Sequence, residues 1–246
     1  MKKVHINCDL GEGGEHDEQL MPHISACNIA CGGHAGTLET MQHTVDLAME
    51  HGVEIGSHPS YPDKENFGRL SIPMEKEELK RSLVAQIMSL KQIAEAEGAV
   101  LTHVKPHGAL YNDAFHNAEV AQIIVDAILE FGKELVLYVA EGSVISELAK
   151  AKLQLKFEAF ADRNYNVNGS LVNRQEPGAL ITKKEEVLQH LLTMVSNRKI
   201  TTQKGQKINT FASTFCLHGD TPNSVEILEY LHRELPAKNI EIYKAR

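Results

Sequence analysis

Several features that define common classes of protein are missing from this sequence. It contains no tryptophan, and aromatic residues make up only 5% of its 246 residues. No apolar run approaches the roughly 18 residues that a bilayer-spanning helix needs. The N-terminal segment MKKVHINCDL lacks the apolar core of a secretory signal. These absences exclude an integral membrane protein and predict a cytoplasmic location.

Cysteine and basic charge are also scarce. The four cysteines, Cys8, Cys27, Cys31 and Cys216, lie inside apolar runs and form no CxxC pair. That placement indicates buried free thiols in a reducing compartment rather than disulfides or a thiolate zinc site. The 25 basic and 33 acidic residues give a formal charge of −8. Because nucleic acids and anionic membranes are bound through clustered Lys and Arg, neither is expected as a partner.

Neither common signature of nucleotide binding is present. The sequence has no GxxxxGK[ST] loop and no complete GxGxxG. The segment CGGHAGT, residues Cys31 to Thr37, does run from a predicted strand into a helix N-terminus, where backbone N–H groups favour an anion. A nucleotide would therefore be bound in some other way, or by a partner.

The sequence does contain a regular alternation of β-branched runs and helical patterns. Strands are predicted at Lys3–Asp9, Ile24–Ala30, Val53–Ser57, Val100–Lys105, Leu135–Val139, Lys156–Phe160 and Thr210–His218. Helices are predicted near Leu38–His51, Glu75–Glu97, Ala118–Phe131, Ser143–Ala151, Lys183–Asn197 and Pro222–Glu234. Thr221 before Pro222, and Thr182 with Glu185, carry helix-start patterns.

Strict strand–helix alternation implies parallel strands joined by crossover helices. About seven such units follow one another without a break in composition. The fold class is therefore α/β, and we predict a single domain over residues 1–246, a deviant (β/α) barrel of the TIM type. An open doubly wound sheet is the alternative, because it produces the same pattern.

Polar residues alternate with apolar ones along several predicted strands. The polar set comprises His5, Asn7, Asp9, Glu54, His58, His103, Lys105 and Glu158. Successive side chains of a strand point to opposite faces, and helices cover the outside of a barrel. The polar set is thus predicted to point into the lumen, which is aliphatic in ordinary barrels. An antiparallel sheet with one wet face is the alternative, and the intervening helices disfavour it.

The C-terminal ends of the predicted strands gather ionisable residues next to turn-formers. Six such places are Asp9–Glu12, Asn28–His34, His58, Lys105–His107, Asp162–Arg163 and His218–Asp220. A single buried histidine has a structural explanation, but six strands that deliver such groups to one rim do not. Catalytic groups of barrel enzymes come from these ends. The rim is therefore the predicted active site.

Three kinds of chemistry are compatible with this rim. A divalent metal could be held by imidazole and carboxylate groups drawn from Asp9, His34, His58, His107 and His218. Asp9 and Glu12 could form a carboxylate pair in which repulsion raises one pKa and produces a general acid or base. Lys105, Arg69, Arg163 and Arg174 could fix a carboxylate or phosphoryl group. The long irregular segment 162–181 is predicted to be an active-site lid.

The motifs at this rim resemble those of a known family. They are NCDLGEG (7–13), NIACGGHAGT (28–37), GSHPSYPD (56–63), FGRL (67–70), VKPHGALYN (104–112), FADRNY (160–165) and CLHGDTP (216–222). Together they resemble the LamB/YcsF family from the first strand to the last helix. One departure is Leu70, where the family pattern has a second arginine beside Arg69.

The resemblance implies a barrel akin to carbohydrate deacetylases and the activity of the A subunit of an ATP-dependent 5-oxoprolinase. Such an enzyme, with partner subunits B and C, converts 5-oxoproline, ATP and water to glutamate, ADP and phosphate. On this reading the catalytic residues are Asp9, Glu12, His58, Lys105 and His107. The residues expected to bind the substrate or a phosphate group are Asn7, Asn28, His34, Arg69, Arg163, Arg174, His218 and Asp220. A metal-dependent deacetylase-like hydrolase and a non-catalytic 5-oxoproline-binding subunit are the alternatives.

Overall fold

Seven parallel strands close into a barrel in the computed structural model, which describes residues 1–244. The barrel strands are β2 (Ile6–Leu10), β3 (Ala26–Ala30), β4 (Glu54–His58), β5 (Leu101–Val104), β6 (Val136–Ala140), β7 (Gln154–Phe160) and β10 (Thr214–Cys216). They pair in chain order, and β10 closes the ring between β7 and β2. The predicted closed barrel is confirmed, and both the open sheet and the antiparallel sheet are wrong.

Helices surround the barrel on its outer face. They are α1 (Asp17–Leu20), α2 (Leu38–Glu50), α3 (Lys76–Ala96), α4 (Gly108–His116), α5 (Ala118–Leu129), α6 (Val144–Ala149), α7 (Lys184–Asn197) and α8 (Ser224–Glu234). On α3, Leu79, Leu83, Ile87 and Leu90 are buried on one face, as the spacing predicts. Among the described residues, no helix combines the length and apolar character that crossing a bilayer requires.

Two small sheets lie outside the barrel. One is a parallel pair of β1 (Lys2–Val4) and β11 (Ile240–Ile242), and the other is a hairpin of β8 (Lys199–Thr201) and β9 (Lys207–Asn209). The first predicted strand is therefore divided, because its start pairs with the C-terminal segment rather than with the barrel. The last predicted strand is shorter than expected. Neither the hairpin nor α4 was predicted.

Both predicted N-terminal caps are wrong, although the two helices begin within two residues of their predicted starts. Helix α8 is preceded by Asn223, which has φ 63° and no side-chain cap. The Thr221 hydroxyl instead donates to Asp162 Oδ2 at 2.5 Å, so it is not free to cap the helix. Helix α7 follows Lys183, which also makes no side-chain cap, so Thr182 does not form a capping box.

The barrel lumen is polar, as the alternation predicts. Asn7, Asn28 and His103 are 0% exposed, and Lys105 is 1% exposed. These side chains hydrogen-bond to one another across the lumen. Burying polar groups without partners would cost several kcal/mol each, so this connected network is what makes a polar lumen tolerable. All four cysteines are buried and free, as expected.

Candidate active site

A cavity of about 630 Å³ opens at the C-terminal ends of the barrel strands. Its floor is formed by Asp9, His58, Lys105, His107 and His218, which come from β2, β4, the segment after β5 and the segment after β10. The topology thus brings together residues that are up to 209 positions apart in the sequence. The predicted rim is a real concave site.

Lys105 forms the electrostatic centre of the site. Its ammonium group lies 2.9 Å from Asp9 Oδ1, 3.0 Å from Glu158 Oε1 and 3.1 Å from Cys216 Sγ. Burial alone would lower the pKa of Lys105, but Asp9, Cys216 and Glu158 raise it well above its ordinary value. Lys105 is therefore a fixed cation whose hydrogens already have partners.

Asp9 is held in one orientation from below. Its Oδ1 accepts hydrogen bonds from Lys105 and, at 2.7 Å, from Asn28 Nδ2. Oδ2 faces His58 Nε2 at 3.3 Å. Burial raises the pKa of Asp9, yet the charges of His58 and Lys105 outweigh that effect and lower it well below its usual range. Asp9 is thus an ionised carboxylate at neutral pH.

Asn7 and Asn28 lie beneath Asp9 rather than at the opening. Asn28 Nδ2 donates to Asn7 Oδ1 at 2.8 Å, and Asn7 Nδ2 donates to Thr214 Oγ1 at 2.7 Å. Both asparagines are 0% exposed. Their geometry suits support of Asp9 more directly than contact with a substrate.

Three histidines and a glutamate form a tight cluster beside Asp9. One ligand atom each from Glu12, His34, His58 and His107 lies within 4.8 Å of the other three. Glu12 Oε1 is 2.9 Å from His34 Nε2 and 3.4 Å from His107 Nδ1. The rings of His34 and His107 stack with their centroids 3.6 Å apart. Glu12, rather than Asp9, completes this group of four.

The hydrogen bonds of His58 and His107 fix both tautomers. His58 Nδ1–H donates to the Lys105 carbonyl at 2.7 Å, and His107 Nε2–H donates to the Phe67 carbonyl at 3.0 Å. The other two ring nitrogens, His58 Nε2 and His107 Nδ1, then face each other at 2.9 Å. Two lone pairs at that distance repel unless a proton or a cation lies beside them.

This donor set fits a divalent metal ion. Neutral imidazole and carboxylate are ligands that Zn²⁺ and similar ions accept, and ligating histidines commonly donate their second N–H to a backbone carbonyl. His34 Nδ1 is buried without a hydrogen-bond partner. A second group, Asp9, Cys216 and His218, is also close enough for a metal. In that second group the Lys105 ammonium already contacts Asp9 and Cys216 and takes the place that a metal ion would have.

The cluster contains a carboxyl group that titrates near neutrality. Burial, opposed by the charge of His58 and reinforced by that of Asp9, raises the pKa of Glu12 to about 7. Burial lowers the pKa of His34 to about 4 and that of His107 well below its ordinary value. Both imidazoles are therefore neutral at pH 7, which suits metal ligands and proton acceptors alike.

Gly108 explains why His107 can face the site. The chain turns directly after His107, and Gly108 has φ +54°, with the Gly68 carbonyl oxygen 2.5 Å from where a Cβ would stand. A side chain at position 108 would therefore clash with the loop that also supplies Phe67. Glycine at this position lets α4 begin immediately behind His107.

His218 faces the cavity from the opposite side and is paired with a buried carboxylate. Asp162 accepts hydrogen bonds from His218 Nδ1 and backbone N, each at 3.0 Å, and from the Thr221 hydroxyl. Burial lowers the pKa of His218, but Asp162 outweighs it and raises the pKa above its ordinary value. The ring is thus held by Asp162 as a proton donor beside the cavity.

Arginines surround the opening. Asp220 accepts from Arg69 at 2.6 Å and from Arg174 at 2.7 Å, so the three residues form one exposed charge cluster. Arg163 is 7% exposed and donates to the Val172 carbonyl at 2.7 Å. Arg163 and Arg174 belong to the irregular segment 162–181, which borders the cavity where a lid was predicted. Gln203 from the β8–β9 hairpin bonds to the carbonyls of Tyr165 and Pro177 and holds that segment.

All the site residues predicted from the sequence lie at or beneath this cavity, but three supporting residues were not among them. Glu158 and Cys216 contact Lys105, and Asp162 holds His218. Glu158 stands on the lumen-facing parity of β7, and Asp162 follows on the same parity just beyond the strand. The sequence thus placed Glu158 in the lumen and Asp162 at the rim, but it did not assign either carboxylate a partner or a role in the site.

The model of the LamB/YcsF family matches residues 4–246 of this sequence. The chain belongs to the LamB/YcsF family. Among relatives, the 5-oxoprolinase A subunit of Haemophilus influenzae (strain PittEE) is 41% identical over 243 residues, which covers 98% of this chain and 99% of the relative. The 5-oxoprolinase A subunit of Pyrococcus horikoshii is 39% identical over 246 residues, covering 98% and 96%.

A solved structure of a similar protein has the same fold. The crystal structure of the lactam utilization protein from Thermus thermophilus superposes with a TM-score of 0.92 at 37% identity, covering 98% of this chain and 99% of that one. The barrel described above is therefore the barrel of the LamB/YcsF family, and the family resemblance inferred from the motifs is confirmed.

Proposed function

We propose that this chain is the A subunit of an ATP-dependent 5-oxoprolinase and that the cavity above Asp9 is where the lactam ring is opened. The observation that carries the proposal is the full-length similarity to proteins named as the A subunit of 5-oxoprolinase, at 41% identity over 98% of the chain. The site chemistry agrees with it, because acid, base and anion-binding groups meet in one cavity.

The substrate is a small five-membered lactam with a carboxylate. A cavity of about 630 Å³ accommodates it together with water or a phosphoryl group. Arg69 and Arg174 at the opening are suited to its carboxylate, because a guanidinium binds a carboxylate bidentately. Asp220 holds both arginines until an anion arrives.

A lactam is a stabilised amide, so its hydrolysis is coupled to ATP. Transfer of the γ-phosphoryl group of ATP to the amide oxygen releases ADP and makes the ring carbon electrophilic. Water attacks that carbon, and the C–N bond breaks with proton transfer to the nitrogen, which leaves γ-glutamyl phosphate. A second water hydrolyses this acyl phosphate to glutamate and phosphate. ATP is consumed by the enzyme assembled with subunits B and C. This route requires a base for the water and an acid for the ring nitrogen.

The residues divide into these roles according to their contacts. Asp9 accepts the proton of the attacking water, and in a chain without a bound metal ion Glu12, with a pKa of about 7, is suited to the same task. His218, held by Asp162, donates a proton to the ring nitrogen. Lys105 keeps Asp9 ionised, because its ammonium group donates to Asp9, Asn7 and Cys216 and is held near them.

Glu12, His34, His58 and His107 would hold a divalent metal ion. Such an ion lowers the pKa of a bound water and polarises a carbonyl oxygen. Titration of chelator-treated protein with Zn²⁺ or Mn²⁺ by calorimetry tests this site. We expect one ion per chain in the wild type and none in His58→Ala, and two ions or none in the wild type would contradict it.

The proposed function is tested by reconstitution with subunits B and C. Glutamate, ADP and phosphate are measured from 5-oxoproline and ATP, with and without this chain. Coupled glutamate release that requires this chain supports the proposal. Activity on acetylated sugars without ATP would favour the deacetylase-like alternative. Full coupled activity with an Asp9→Asn chain that still binds 5-oxoproline would favour the binding-subunit alternative.

A further inference from the structure

The lumen beneath Asp9 contains a histidine that the proposed mechanism does not use. His103 lies on β5 and is 0% exposed. Its ring stacks on Tyr138, with centroids 4.1 Å apart and planes at 9°. A Cβ at Gly56 would stand 2.0 Å from His103 Nε2, so glycine at that position leaves the space that the imidazole occupies. The ring is thus confined from two sides.

The two hydrogens of the Asn28 amide are both committed. One is donated to Asn7 Oδ1 at 2.8 Å and the other to Asp9 Oδ1 at 2.7 Å. Asn28 Oδ1 must therefore face the remaining neighbour, which is His103 Nε2 at 2.9 Å. Because an amide oxygen only accepts, His103 must carry its proton on Nε2.

The Thr102 hydroxyl lies beside the other ring nitrogen. Its single hydrogen has two possible acceptors, His103 Nδ1 at 2.7 Å and the Ile55 carbonyl at 2.9 Å, and donation to Nδ1 is the arrangement that matches the tautomer set by Asn28. Burial lowers the pKa of His103 well below its ordinary value, so the ring is neutral and has one N–H to give. A chain of hydrogen bonds therefore runs from His103 through Asn28 to Asp9.

We propose that His103 is a positioning residue: its Nε2–H fixes the Asn28 amide so that Asn28 donates to Asp9 Oδ1 and leaves Asp9 Oδ2 facing His58 at 3.3 Å. Without that donor Asn28 Oδ1 is buried without a partner, and the amide is held less firmly in the plane that its donation to Asp9 requires. One of the two hydrogen bonds that orient Asp9 Oδ1 is then weakened. The catalytic consequence rests on the proposed function of Asp9, whereas the structural consequence does not.

Two substitutions separate the hydrogen bond from the packing of the ring. His103→Phe keeps an aromatic ring against Tyr138 but has no donor, and His103→Gln retains a donor. In the enzyme assembled with subunits B and C, we expect His103→Phe to lower kcat for glutamate formation about 10²-fold, with KM little changed, because a small misplacement of a catalytic group has that effect. His103→Gln should recover most of the loss. His23→Phe, at a histidine remote from the cavity, is the matched control.

A spectroscopic readout tests the same claim without activity. In the chain labelled with ¹⁵N-asparagine, the Asn28 side-chain NH₂ should be protected from solvent exchange in the wild type and in His103→Gln, and should lose protection in His103→Phe. Retained protection or full activity in His103→Phe would overturn the proposal. An inactive wild-type complex would refute the proposed function, while the NH₂ signal would still decide this inference.

If His103→Phe does not fold, His103→Met provides the second test. Methionine fills the site with a flexible apolar side chain and has no N–H to donate to Asn28 Oδ1. We expect about a 10²-fold loss of kcat, as for His103→Phe, and faster exchange of the Asn28 NH₂. Wild-type values for both would overturn the proposal.

Discussion

Replacement of Lys105 by methionine should strongly destabilise the barrel. Methionine has nearly the same length, so the substitution removes the ammonium group without opening a large cavity. Asp9 and Glu158 are 5% and 4% exposed, and their carboxylates would lose the cation that lies 2.9 and 3.0 Å away. Glu158 would then lose this counter-charge, and Asp9 would keep only the neighbouring imidazole of His58, 3.3 Å from its Oδ2.

The size of the effect follows from those distances. Each contact at 3 Å is worth about 5 kcal/mol at an effective dielectric constant of about 20, before desolvation is counted. Removing one partner of a buried ion pair typically costs about 3–5 kcal/mol. For a chain of this length, that loss lowers the midpoint of thermal unfolding by about 10 °C.

Urea unfolding of the chain measures the change in the free energy of unfolding. The matched control is Lys80→Met, which breaks an exposed pair with Glu130 at 2.6 Å and should change the free energy of unfolding far less, because solvent screens that pair. Adding Glu158→Gln to Lys105→Met should restore part of the loss, because one uncompensated charge is removed. If Lys105→Met is no more destabilising than Lys80→Met, the electrostatic account of the lumen is wrong.

Three further predictions concern other residues of the site. Asp162→Asn should lower the pKa of His218, which an NMR titration measures. A raised histidine pKa stabilises the fold below about pH 6.5, and this stabilisation is lost as the pH rises through the folded pKa. The free energy of unfolding of the variant should therefore depend less on pH over that range. Gly56→Ala should cost about 1–3 kcal/mol in urea unfolding, because its Cβ would meet the imidazole behind it, whereas Gly14→Ala should be nearly neutral. Glu12 has a pKa of about 7 in the folded chain, so the free energy of unfolding of chelator-treated protein should fall by on the order of 3 kcal/mol as the pH rises from about 4.5 to 7. Glu12→Gln should abolish that fall. The same pH dependence of the free energy of unfolding in the variant would contradict the assignment.

Strand parity and strand ends were the informative signals in the sequence. The alternation of His5, Asn7 and Asp9 with apolar residues placed them in the lumen, and the structure places them there. The turn-formers after His58 and Lys105 marked the rim correctly. Both signals are local in the sequence. In a parallel barrel, the alternation along a strand decides whether a side chain faces the lumen, and the end of a strand decides whether a residue lies at the rim.

Contacts between distant segments could not be read from the sequence. Thr221 was predicted to cap a helix, but its hydroxyl bonds to Asp162, which is 59 residues away. The pairing of β1 with β11 and the holding of segment 162–181 by Gln203 are equally non-local. Local propensity does not encode a side-chain partner on another strand. The same limit explains why Glu158 was recognised as a lumen residue but not as the partner of Lys105.

The most direct test of the central claim is glutamate release by the enzyme assembled with an Asp9→Asn chain. Asparagine preserves the shape of the side chain and removes the charge that faces His58, so folding and assembly can be checked by thermal unfolding and co-elution with subunits B and C. We predict that glutamate release from 5-oxoproline and ATP falls at least about 10²-fold in an intact complex. Wild-type glutamate release by that complex would contradict the assignment of the cavity above Asp9 as the site of ring opening.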